Sequence, residues 1–460
     1  MVVKSGIWYT LSNFITKGMI FLATPIFTRL LTQEEFGTFS TFSSWLNIFI
    51  IVVSLNIEST LMSAKYDFEK RFDEYIFSSL TLSTISTIVW AVVFNGFMNK
   101  LSDFIEVEPL YINCMFAYLL FYPALTLFQV KERYMYRYKS SVFVSALVSV
   151  GSLLLSILLV KIMENQLSGR VLGHVLPTIL VGGALYVLLG IKGKKVSVSD
   201  WKYALKICLP YIPHLLSMMI LSSTDKIMIT KMCGTADTAL YSVAYSVVMV
   251  ISVLLTSLNG AFCPWLAEKL SAQDFNATRK ASKIYIVLFM CFYMGFILLT
   301  PEILLIMGGK AYMQAKAVMI PVAMGCVCQF LYTLFVNVEQ FHKKTIGMAF
   351  ASISAAVINY VLNLWLIPKF GYVAAAYTTL IGYLWLLLVH MILVWIMRKN
   401  KVYSYKFVLA SVVVAGIIAV VANVLYSNVV VRYIFLGVYG ISILVLLWKY
   451  RAKLFSALKK

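Results

Sequence analysis

Lys17 stands near the middle of the apolar run Ile7–Leu31, where its side chain can barely reach either membrane surface. A second pair of charges, Asp225 and Lys226, lies inside PYIPHLLSMMILSSTDKIMITKMCG, Pro210–Gly234. A charge on a spanning helix costs on the order of 3 kcal/mol even on a lenient insertion scale, so such groups face other helices or a wet cavity. Polar residues recur around these charges at helical spacing. Asn13, Lys17, Thr24 and Thr28 share a face of the first helix, and Ser40, Ser43, Asn47, Ser54 and Glu58 a face of the second. His214, Ser217 and Asp225 share a side of the seventh, with Lys226 at its edge. Tyr241, Tyr245, Ser252, Thr256 and Asn259 follow on the eighth, and Ser352, Asn359 and Asn363 on the eleventh.

Serine, threonine and asparagine on such stripes read first as interhelical hydrogen-bonding groups. The lysines do not, because burying an unpaired ammonium for packing alone brings no benefit. A lysine in a low-dielectric cavity is suited to hold an oxyanion. Asp225 and Lys226 point about 100° apart and need not pair with each other. Asp225 is open to two readings, as a counter-ion to Lys17 across the molecule or as a group that titrates during a transport cycle; Glu58 shares that second role. His174 and His214 read as helix-contact histidines before proton relays, and Glu339 as interfacial. Arg29 and Lys231 sit at the outer ends of helices one and seven, as interface anchors or as a pair at the mouth.

The elements that position these residues are helices in lipid. Of 460 residues, 61% are hydrophobic and only 13% charged, too little charge for a soluble protein of this length. Repeated apolar runs of about twenty residues predict an all-α polytopic membrane protein, and alternating strand patterns are absent. About fourteen spans can be placed, from Ile7–Leu31 to Ile434–Trp448, with Ile284–Leu299 a short one. Basic residues collect on alternate loops, as at Lys131/Arg133/Arg137/Lys139 and Arg398/Lys399/Lys401/Lys406, which predicts cytoplasmic termini at both ends. The net charge of +20 is therefore topological, and nucleic acid is not an expected partner. The seven cysteines show no ligand spacing, so no metal is expected. The first run is too long for a signal-peptide core and is read as retained.

A shift of about 202 residues places FTRLLTQEEFGTFS (Phe27–Ser40) on ITKMCGTADTALYS (Ile229–Ser242), and Gly169 and Val171 on Gly371 and Val373. Each half then holds six helices entering from the same side, a parallel repeat with the site between its halves. Three parts follow: residues 1–195 as a six-helix lobe, 196–400 as its counterpart, and 401–460 as two extra C-terminal helices with a basic tail.

TRLLTQEEFGTFS, STDKIMITKMCGTADTALYSVAY and NYVLNLWLIPKFGYVAAAYTTLIGYLW (Asn359–Trp385) resemble the polysaccharide flippase family, the Wzx-type O-antigen transporters of the multidrug/oligosaccharidyl-lipid/polysaccharide exporter superfamily. The resemblance covers nearly the whole chain. It implies two six-helix bundles forming a V around a cavity open alternately to each side. It implies as substrate a lipid-linked oligosaccharide on undecaprenyl pyrophosphate, moved from the cytoplasmic to the periplasmic leaflet of the bacterial inner membrane. A polysaccharide polymerase and a chain-length regulator would be partners beside membrane lipids. Family cavities are cationic, which draws attention to Lys17, Lys226, Arg29 and Lys231. No cofactor is implied, and coupling to a proton or sodium gradient stays open. The rivals are a drug/cation antiporter of the same superfamily, working through Asp225 and Glu58, and an integral membrane polysaccharide polymerase. The second lacks support: the chain has no large loop, D-x-D, HExxH or Gly-rich phosphate loop.

Overall fold

The computed structural model describes residues 19 and 21–458 except 136, 343 and 400. Among them there are helices and turns and no strand. In order, α1 is Phe21–Leu30, α2 Gln33–Val53, α3 Leu61–Asp67, α4 Phe72–Gly96, α5 Met98–Ile105 and α6 Pro109–Tyr134. Then come α7 Tyr138–Ile162, α8 Gln166–Gly193, α9 Val198–Cys233, α10 Thr235–Ser271, α11 Phe275–Leu298 and α12 Thr300–Gly308. The chain closes with α13 Lys316–Phe341, α14 Thr345–Phe370, α15 Tyr372–Ile396, α16 Tyr405–Leu425 and α17 Val429–Leu458. Eleven helices among the described residues are long and apolar enough to span a membrane, and Phe21–Leu30 and Val429–Val445 are shorter apolar stretches. The molecule is a multi-pass membrane protein. Its outward side chains, such as Val92, Leu154, Trp365 and Val420, are apolar and exposed as lipid requires.

Local chemistry explains the joints. Thr32 caps α2 in a reciprocal box with Glu35, its backbone N–H donating to Glu35 Oε2 at 2.9 Å and its hydroxyl accepting from Glu35 N at 3.2 Å. Gly234, at φ 102°, makes the sharp turn from α9 into α10. The first residues of α2 and α10, Gln33 and Thr235, are separated by 235 − 33 = 202, the shift of the internal repeat. The second predicted span breaks: α2 stops at Val53, Leu55 and Asn56 adopt φ of 61° and 46°, and a 3-10 turn follows over Ile57–Thr60. The span predicted from Ile284 begins nine residues earlier, at Phe275, capped by Asp274.

Helices α4, α6, α7 and α8 pack together, as do α9, α10, α13, α14 and α15, with α16 and α17 outside them on α11. α2 is the seam, packing on α9 and α10 as well as on α6 and α8. At the end away from the basic loops this seam is tight. Thr41 and Thr230 hydroxyls are 2.5 Å apart, Thr28 Oγ1 donates to Met307 O at 2.7 Å, and Gln33 Nε2 donates to Ala311 O at 2.7 Å. A Cβ on Gly37 would lie 1.7 Å from the Thr235 carbonyl oxygen. The buried apolar core is continuous through α10–α16 and splits into two smaller clusters within α2–α8. A cavity lies among these helices.

Candidate functional site

The cavity has a volume of about 830 Å³ and is walled by α1, α2, α6, α7 and α8, with Lys226 of α9 and Ser242 and Ser246 of α10 closing the side at the seam. That volume lies in the upper range of ligand sites. Two stripes run down its length. On α6 Tyr118, Tyr122, Thr126, Gln129 and Arg133 follow at spacings of four, four, three and four. On α7 Ser141, Ser145, Ser149 and Ser152 follow at four, four and three, and Gln129 Nε2 donates to Ser145 Oγ at 3.1 Å. These spacings keep each stripe on one helix face. Both helices are antiparallel neighbours, so Arg133 and Ser141 lie toward the basic end and Tyr118 and Ser152 deep inside.

At the deep end Arg170 and His174 project from the first turns of α8, which Asn165 caps by accepting from Ser168 N at 2.9 Å. The Arg170 guanidinium lies 3.9 Å from the Phe27 ring centroid and 4.1 Å from that of Phe39, and donates to Ser156 Oγ at 2.7 Å. His174 stacks on Tyr118 at 5.9 Å and 9°, meets Phe39 edge-on, and bonds Ser152 at 3.3 Å. Gly173 lets α7 approach: a Cβ there would lie 2.3 Å from Ser156 Cα. Lys226 enters the cavity half-buried, its Nζ 5.9 Å from the Tyr245 ring. Among the described residues no aspartate or glutamate lines this cavity, and Arg133, Arg170 and Lys226 all do. Its field therefore attracts anions.

Asp225, one residue away, turns the other way. It is 1% exposed and accepts from Tyr241 Oη at 2.6 Å, Asn363 Nδ2 at 2.6 Å and the Thr379 hydroxyl. Asn359 Nδ2 donates to Thr379 at 3.3 Å, and its own oxygen accepts from Asn363 at 3.3 Å. Asp225 and Asn359, expected on the cavity wall, instead form an oxygen-rich network among α9, α10, α14 and α15. The cause is the 100° step between neighbours, which sends Lys226 to the cavity and Asp225 into the packed helices.

The other expected residues disperse. Asn47 is exposed on the cavity wall. Glu58 sits half-buried on the 3-10 turn Ile57–Thr60, off the wall. Arg29 is exposed and donates to Pro25 O at 2.5 Å and Ile306 O at 2.8 Å, while Lys231, also exposed, lies 5.1 Å from the Phe104 ring; both mark the end opposite the basic loops. Lys17 and Asn13 lie outside the described residues, and so does the side chain of His214 within α9. Glu339, taken as interfacial, is buried against His390 Nδ1 at 2.8 Å. Sequence reasoning passed over Arg170 and took His174 as a packing histidine. The signal was present: Arg170, His174 and Thr178 stand four apart. Among the described residues no three His, Cys, Asp or Glu side chains converge as a metal site, and all seven cysteines are free thiols.

Comparison with known proteins accords with this geometry. Residues 2–270 match the model of the family described as polysaccharide biosynthesis protein, and residues 210–365 match that described as MatE. Two Haemophilus influenzae proteins are similar. "Lsg locus putative protein 1" is 25% identical over 284 residues, 58% of this chain and 67% of the relative. An "uncharacterized membrane protein" is 21% identical over 379 residues, 78% of this chain and 88% of the relative. The fold is shared with the lipid II flippase MurJ in an inward closed conformation, at TM-score 0.67 and 14% identity, covering 97% of this chain and all of that one. It is shared too with an inward-facing multidrug resistance MATE transporter, at TM-score 0.59 and 14% identity, covering 84% and 95%. These solved relatives by fold are transporters and a flippase, not enzymes.

Proposed function

The chain belongs to the polysaccharide biosynthesis protein family, and from that premise we propose that it is a flippase for a lipid-linked oligosaccharide. The glycan, carried on undecaprenyl pyrophosphate, would pass from the cytoplasmic to the periplasmic leaflet of the bacterial inner membrane, for O-antigen or another surface polysaccharide. The observation that carries this reading is the cavity wall: Arg133, Arg170 and Lys226 with no carboxylate among the described lining residues. A pyrophosphate leaving water needs compensating cations, and a charge-assisted N–H···O bond is about twice as strong as a neutral one. A cationic drug would meet the opposite field. The stripes of hydroxyl, amide and phenol groups on α6 and α7 offer a glycan donors and acceptors along the same wall.

Lys226 lies at the seam between the two helix groups, and Lys17 belongs to the same proposed set. The basic loops would face the cytoplasm with both termini, and the tight seam around Thr41 and Thr230 would be the periplasmic side, closed here. Rocking of the helix groups would re-expose the substrate there. Asp225, Tyr241, Asn359 and Asn363 of the Asp225 network lie within the segment similar to MatE, and the network would offer a place for a coupling cation, proton or sodium, apart from the substrate. A polymerase and a chain-length regulator would take the product onward.

The test is reconstitution. Proteoliposomes holding the purified chain should move an undecaprenyl-pyrophosphate disaccharide out of reach of an impermeant lectin, and Lys226→Gln should slow this at least about tenfold. Undiminished flipping by that variant, or export of a cationic dye in place of the glycolipid, overturns the proposal.

A further inference from the structure

Among the described residues, neutral groups hold the Arg170 guanidinium. Phe27 and Phe39 rings lie against its guanidinium, at 3.9 and 4.1 Å, and Ser156 takes one N–H at 2.7 Å. The rings displace water and cancel none of its charge. What remains directed at the cavity is part of the planar N–H fork, which matches paired oxygens of a carboxylate or phosphate. Beside it Tyr118 and His174 lie parallel at 9°, a flat aromatic surface next to the fork.

Its depth separates it from Lys226. Phe39 is two residues from Thr41 on α2, and Thr41 meets Thr230, one turn beyond Lys226 on α9. Six helical residues set the levels of Phe39, against which Arg170 lies, and of Lys226 about 9 Å apart along the helix axes. They also belong to different walls. Lys226 comes from α9, whereas among the described residues the Arg170 side chain touches Phe27 of α1, Phe39 of α2 and Ser156 of α7. A pyrophosphate held by Lys226 would leave the Arg170 fork available to another group of the same substrate.

The geometry points to Arg170 as the receptor for a second oxyanion, an acidic group on the glycan itself. The substrate class is then a lipid-linked oligosaccharide with a uronic acid or similarly charged sugar close to its pyrophosphate end. This rests on the flippase reading. A phosphate oxygen of the pyrophosphate would suit the same fork, so the test must tell the two sources apart.

The full chain in nanodiscs is titrated with three probes: trigalacturonate, its uncharged methyl ester, and inorganic pyrophosphate. Trigalacturonate should bind at least about tenfold tighter than the ester, the worth of a charge-assisted pair. Arg170→Gln should abolish that preference and cost trigalacturonate several-fold more affinity than it costs pyrophosphate; Lys226→Gln should do the reverse. Arg170→Lys keeps the charge without the fork and should lose most of the preference, which covers the case in which the glutamine variant fails to fold. Equal binding of acid and ester to the unmodified chain, or no binding of either, overturns the inference. So does an Arg170→Gln loss that falls equally on pyrophosphate. If pyrophosphate binds and only the acid preference is missing, this inference fails alone; if pyrophosphate fails to bind, the flippase reading goes with it.

Discussion

Asp225 and Lys226 show how far one residue's step around a helix separates two roles. Asp225 is sealed among Tyr241, Asn363 and Thr379, all donating to its oxygens. Asp225→Ala would strand those donors in a packed interior, at a cost of roughly 2–4 kcal/mol. It should show as a clear fall in the melting temperature of the detergent-solubilised protein. Asp225→Asn keeps the volume and an accepting oxygen, so it should melt closer to the parent. An alanine variant as stable as the parent would mean that this network contributes little to the fold. Both residues were visible in sequence because charge within an apolar run is conspicuous. Which of them faces the cavity was not, since stripe and edge positions differ by less than the uncertainty in where a helix face points. Arg170 escaped for another reason. Hydropathy ends a span at a charge, so the apolar run there begins only at Val171, while the helix itself starts at the Asn165 cap and carries Arg170 inside its first turns.

At the scale of elements, α2 was legible from its apolar run and from the repeat, but its place as the seam was not. A stripe of serines on one face does not say which half of the molecule that face will meet. The structure answers with Gly37, whose hydrogen is all that fits against Thr235, and with the Thr41–Thr230 contact. If this end must part during transport, a Thr41→Cys/Thr230→Cys pair should form a disulfide under mild oxidation, since touching hydroxyls put the Cβ atoms within reach of one. Oxidation should then stop flipping in proteoliposomes and reduction restore it. Gly37→Ala should lower the cross-linking yield by forcing α2 away from α10. Full transport by the cross-linked protein would show that this seam stays shut throughout the cycle. Long helices α9 and α10, of 36 and 37 residues, also exceeded the sequence spans, because their ends leave the apolar run and continue through charged residues toward the basic end.

The whole molecule divides its chemistry: a cationic cavity among α1, α2, α6, α7 and α8, and a carboxylate network among α9, α10, α14 and α15. The all-helical, multi-pass fold could be read from composition and loop charge, because lipid leaves so few ways to satisfy a backbone. The division could not, since it arises from how two similar halves pack differently. If a cation drives the cycle, substrate and cation would then not compete for one group. Asp225 accepts from the Tyr241 phenol, the Thr379 hydroxyl and the Asn363 amide nitrogen, while the Asn359 and Asn363 amide oxygens and the Thr378 hydroxyl stand one hydrogen bond further out; rotation of the two amides would turn their oxygens toward the carboxylate. Such a set suits a hard cation, which takes oxygen ligands. Sodium bound there only in the folded state would stabilise the protein by about 2.7 kcal/mol at a hundredfold excess over its Kd. Melting should therefore rise in sodium chloride relative to choline chloride, and Asp225→Asn should remove the difference. Flipping should then follow an imposed sodium gradient. If the rate follows a pH gradient and ignores sodium, the coupling ion is a proton at the same carboxylate. If Asp225→Asn retains full gradient dependence of either kind, the network is a structural anchor and the driving force enters elsewhere.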